Sequence, residues 1–142
     1  PSSSFIINDT DIRRYAAEAL AILVYRCECS FRDMRIVIFN SLAQSLFNPD
    51  TSLYAHYGAI LGIKEIGLIG NVLPHLKSYL KLIKLELSST FNFQSEAADL
   101  VLKLIETTMY EFALKSNDEG EKELAMAIMN DIKSIKRLEG PY

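Results

Sequence analysis

Two cysteines and two histidines, Cys27, Cys29, His56 and His75, are the residues whose types could hold a metal. Tetrahedral zinc wants thiolates and imidazoles at spacings that let one turn or finger present them together. Here the cysteines sit two apart in "RCECS", and on a helix that spacing points them to different sides. The histidines follow at no standard ligand interval, so the expectation is no metal and no cofactor, with thiols that pack or face solvent. The same divergence makes a Cys27–Cys29 disulfide geometrically poor, which suits a reducing intracellular compartment better than a secreted scaffold. No serine lies in a nucleophile elbow, and no HExxH or phosphate-binding loop occurs. The acid pair Glu121 and Glu123 falls in a polar helix start, where negative charge favours the macrodipole without any catalytic role. No catalytic residue is assigned, and an enzyme is the least expected class.

The elements that carry these residues read as helices. The chain has 142 residues, 49% hydrophobic and 23% charged, enough for one globular domain with a substantial core. Its net charge of −3 argues against a nucleic-acid binder as a whole. No apolar run is long enough to span a membrane. The chain opens on Pro1 with no basic-then-apolar leader, the expectation being a domain excised from a longer protein.

Six helical segments follow from three- and four-residue apolar spacing. The first runs from Asp9 to Glu28, with Ile12, Ala16, Ala19, Leu20, Leu23 and Cys27 as its stripe. Ser30 and Asp33 in "SFRD" resemble a capping box opening the second, which carries Met34, Val37, Ile38, Leu42 and Leu46. Asp50 or Thr51 is expected to cap the third. Gly67 and Gly70 bracket a break, and the fourth helix starts so that Pro74 falls in its first turn. "SSTFNFQSE" is read as a turn and "KSNDEGE" as the last break, on either side of a fifth helix; a sixth carries Leu124, Ile128, Ile132 and Ile135. Odd-numbered helices begin near Asp9, Thr51 and Gln94, a period of about 42 to 43 residues that matches helix-pair solenoids. The expected fold is all-α: one domain over 1–142, a HEAT-repeat-like solenoid of about three antiparallel helix pairs at about 9–47, 51–87 and 94–138. A six-helix globular bundle with accidental spacing is the alternative.

The third helix contains Gly58 and Gly62, each costing about 1 kcal/mol relative to alanine. Four residues apart, and flanked by Ala55 and Ala59, they leave one helix face almost without side chains. A neighbouring helix can approach such a face more closely than the usual axis separation of about 8–10 Å, and the added dispersion contacts offset the lost propensity. Lys64, Glu65 and His56 exclude a membrane GxxxG helix, and no strand precedes the glycines as a dinucleotide fingerprint requires. Gly67 is expected to close the helix in a left-handed conformation.

"YGAILGIKEIG", followed by "VLPHLKSYLKLI", resembles the C-terminal HEAT-repeat domain of the TBP-associated factor subunit 6 family, part of the general transcription factor TFIID. "DIRRYAAEALAIL", Asp11 to Leu23, is a second matching block, with Arg14 where the family usually has an acidic residue; Leu61 likewise replaces a frequently polar or acidic position. The resemblance runs over roughly residues 10–85. It implies a nuclear, non-enzymatic scaffold that helps hold TFIID, or a related SAGA-type coactivator, together through contacts with other subunits. It also implies a histone fold, outside this chain, that binds a partner subunit. An adaptor in another intracellular assembly is the second reading, and a helical nucleic-acid-binding module the third.

One charge pattern stands apart. Residues 51–88 hold four lysines against two glutamates, a local +2, whereas residues 89–142 hold six basic and ten acidic residues, a local −4. Lys77, Lys81 and Lys84 stand at i, i+4 and i+7, one basic stripe on the fourth helix. The stripe is either a solvated face or a docking strip for an acidic protein segment or for DNA phosphates, the latter weak and salt-sensitive.

Overall fold

The computed structural model describes residues 9–27, 30, 31, 33–89 and 95–139. Among the described residues there is no strand, and six α-helices form: α1 Asp9–Cys27, α2 Met34–Leu46, α3 Leu53–Glu65, α4 Leu73–Ser89, α5 Ser95–Lys115 and α6 Glu119–Glu139, with a 3₁₀ turn at Ile69–Val72. The chain is therefore all-α, as the apolar spacing requires. Cys29 and Gln94 lie outside the described residues. The chain divides into two compact units, Pro1–Leu68 and Ile69–Tyr142.

In the first unit α3 packs against both α1 and α2, while α1 and α2 touch each other little. That central place explains why α3 buries residues on every side: Leu53, His56, Ala59, Ile60, Leu61, Gly62 and Ile63. A helix apolar all round belongs in the interior. Leu61, at a position that is frequently polar in the resembled family, is one of these buried residues. Fully burying each of Ile60, Ile63, Leu46 and Val24 contributes about 1.5–3 kcal/mol.

Three local expectations are corrected here. The covered side of α1 carries Ala17 and Val24, whereas Ile12 and Leu23 are half exposed, at 51% and 50%. Because the apolar residues of α1 are spread around the helix among charged ones, hydropathy does not select a face; the small Ala17 lets the helix settle against α3. The second helix starts after Asp33 rather than Ser30, and Asp33 makes no side-chain capping bond, its backbone (φ −91°, ψ 0°) lying outside the extended region that suits a cap. The third is capped by Ser52, not Asp50 or Thr51: extended at φ −70° and ψ 159°, Ser52 accepts from the Ala55 amide through Oγ at 3.1 Å.

In the second unit α6 packs against both α4 and α5. Buried positions follow helical rows in all three: Leu76, Leu80 and Ile83 on α4; Ala98, Val101, Leu102, Ile105 and Met109 on α5; Ala125, Ile128, Ile132 and Ile135 on α6. Pro74 is the second residue of α4, where its missing N–H belongs to the unpaired first turn. Helix α6 begins inside the expected break, at Glu119, because Asp118 Oδ1 accepts from the Glu121 amide at 3.1 Å and caps it.

Candidate interaction surface

The glycine face of α3 lies inside the first unit. A Cβ at Gly62 would come within 2.8 Å of Leu42 Cδ1 on α2, and one at Gly58 within 3.4 Å of the Arg13 Cδ and Nη1 atoms on α1. Gly62 thus sets a close approach of two helices, and Gly58 lies beneath the arm of an arginine. Beside them an open groove of about 290 Å³ is lined by Arg13, Ala16 and Ala17 of α1, Leu42 of α2, and Ala55 and Gly58 of α3, among others.

Gly67 has φ +80°. Its amide donates to Lys64 O at 3.0 Å and that of Leu68 to Ile63 O at 3.1 Å. This is the two-bond closure that a left-handed residue permits after a helix, satisfying carbonyls otherwise left unpaired.

His56 is 6% exposed, and its Nε2 lies 2.6 Å from Thr51 Oγ1 and 3.0 Å from the main-chain oxygen of Asn48. The sequence marks His56 only as a possible zinc ligand; its Nε2 faces loop groups between α2 and α3. Cys27 is a half-buried free thiol. Among the described residues no three His, Cys, Asp or Glu side chains gather as a metal site, and no helix is long and apolar enough to cross a membrane. Arg14 pairs with Asp11 at 2.8 Å and stands 5.6 Å from the centre of the Tyr15 ring. Hydrogen bonding to Tyr15 and the charge of Asp11 hold its guanidinium above the ordinary range, so it stays a surface cation.

Lys77, Lys81 and Lys84 are all exposed on α4, opposite the buried row of Leu76, Tyr79, Leu80 and Ile83. What the charge pattern does not reveal is their company. Leu82 and Leu85 are also in solvent, at 51% and 64%, with Pro74 and Ser78 on the same outer side. The outer face of α4 therefore has a basic edge and an apolar edge.

The family model for the TAF6 C-terminal HEAT repeat domain matches residues 2–77. Pro74 and Lys77 fall within that match, while Lys81 and Lys84 lie beyond it. No curated protein and no solved structure matches the chain.

Proposed function

The chain belongs to the family of TAF6 C-terminal HEAT repeat domains, and from that membership we propose that it is a non-enzymatic scaffold of a general transcription initiation complex. HEAT repeat domains are a helical scaffold type, whose stacked pairs offer extended surfaces to other proteins. The finer reading is that this chain works in the nucleus, contacting other subunits of TFIID or of a SAGA-type coactivator. A histone fold outside the chain would join it to a partner subunit. Gly58, Gly62, Gly67 and Pro74 serve as structural residues in this reading, shaping helices rather than binding a ligand. The helices would act as HEAT pairs of one domain, at about 9–47, 51–87 and 94–138. The family match carries this proposal; the exposed face of α4 is what a subunit contact would use.

The test is affinity purification of the tagged protein carrying this chain from nuclear extract, followed by mass spectrometry. Stoichiometric recovery of TFIID subunits is the expected result. Recovery of transport or coat components, with no initiation-factor subunit, would move the chain to the adaptor reading.

A further inference from the structure

We propose that the outer face of α4 docks an acidic, amphipathic helical segment of a partner protein, with Lys77, Lys81 and Lys84 pairing its carboxylates and Leu82 and Leu85 covering its apolar residues. The inference goes beyond the scaffold reading and does not depend on which assembly the chain joins.

Two independent observations meet on this helix. The first is charge. The three lysines are exposed, and among the described residues none of them forms an ion pair. At about 1.5 Å of rise per residue they occupy a strip about 10 Å long, two turns of a partner helix. The second is apolar exposure. Leucines at 51% and 64% exposure sit three residues apart on the same outer side. At about 100° per residue, their edge is turned by roughly 100° from the lysine edge, close enough for one helix to touch both.

The pair of edges selects the partner. Duplex DNA would neutralise the lysines but leave Leu82 and Leu85 wet, and the chain's net charge of −3 opposes it. An anionic membrane rewards lysines flanking a broad apolar stripe; two leucines beside one lysine row form a narrow one. An acidic helix with leucines one step around from its carboxylates matches both edges at once. Its carboxylates would meet the lysines at a solvated rim, which sets association rate and register, and its apolar residues would drain the leucine edge.

The probe is a synthetic helical peptide with glutamates along one edge and leucines along the next, titrated by fluorescence anisotropy against the whole chain at low and moderate salt. A peptide of the same composition with the pattern scrambled is the control. The patterned peptide should bind, and the scrambled one should bind much more weakly. Lys77→Glu, Lys81→Glu and Lys84→Glu together should weaken binding by about tenfold or more at low salt. Replacing the peptide's glutamates by lysines should restore binding to that triple variant. Leu82→Ser with Leu85→Ser should weaken binding at both salt concentrations, and thermal melting of each variant reports that the fold is intact. Equal binding by the scrambled peptide, or no saturable binding below about 1 mM, overturns the proposal. So does tight binding of duplex DNA or of phosphatidylserine vesicles that is lost in the lysine variant and unchanged in the leucine variant.

Discussion

The Oγ1 of Thr51 and the Nε2 of His56 stand 2.6 Å apart, at the junction where the chain leaves α2 and enters α3. Thr51 Oγ1 also lies 2.8 Å from both Ser45 O and Asn48 O, carbonyls to which its one hydrogen can go. Asn48 O, 3.0 Å from Nε2, can only accept. The tautomer with a hydrogen on Nε2 satisfies the whole group: Nε2 donates to Asn48 O and Thr51 Oγ1, and Thr51 donates to a carbonyl. A single buried ring thus ties the loop after α2 to the first turn of α3.

Removing that donor should be felt in stability. His56→Ala is expected to lower the free energy of unfolding by about 1–3 kcal/mol, the range for a lost buried hydrogen-bonding group. His56→Gln, which retains an amide donor, should cost less. Urea denaturation measures both. Equal losses from the two variants would mean that volume, not the hydrogen bond, holds the junction.

At Gly67 the cost of a side chain is a matter of backbone alone. The nearest atom to an added Cβ is Arg35 Nη1 at 3.9 Å, so there is room, but φ is +80°. Gly67→Ala should destabilise by about 1–2 kcal/mol, the penalty of a left-handed residue, and Gly67→Asn by less. A melting temperature unchanged by alanine would show that the helix end relaxes to an ordinary conformation.

Gly67 was legible in the sequence because few residues can occupy a left-handed helix end, so type and place name each other. The lysine row was legible for a related reason: identical charges at i, i+4 and i+7 must share a face. The covered side of α1 was not. With Ile12, Ile22, Val24 and Tyr25 distributed around one helix, hydropathy did not choose the side that buries Ala17 and Val24. His56 was illegible for another reason. Its Nε2 faces two loop oxygens, one of them main chain, and a carbonyl leaves no trace in a residue pattern. The exposed leucines of α4 were illegible because apolar type does not report burial at a helix's outer side.

Capping is a place where three adjacent residues competed. Asp50, Thr51 and Ser52 can each cap a helix, and only Ser52 has the extended backbone with an oxygen bonded to the Ala55 amide. Ser52→Ala should therefore cost about 1 kcal/mol and Ser52→Gly a few tenths. Asp50, exposed at the surface, should tolerate alanine within about 0.5 kcal/mol. Reversed magnitudes in chemical denaturation would put the helix start two residues earlier.

Gly58 and Gly62 resemble each other in sequence but should gain to different extents from the same substitution. Above Gly58 lies the side chain of Arg13, whose nearest atoms stand 3.4 Å from an added Cβ, an ordinary contact with a flexible arm. Gly58→Ala should then gain helix propensity without a clash and stabilise by up to about 1 kcal/mol. Above Gly62 the Leu42 methyl stands 2.8 Å from an added Cβ, so something must move. Leu42 borders the open groove and has somewhere to go, so Gly62→Ala should gain less than Gly58→Ala. A leucine there exceeds what the groove can absorb without parting α2 from α3, and Gly62→Leu should lose about 1–3 kcal/mol. Equilibrium unfolding of the three variants gives the order: Gly58→Ala most stable, Gly62→Ala below it, Gly62→Leu below the parent chain. If Gly62→Leu matched or exceeded the parent, the contact between α3 and α2 would not depend on a missing side chain.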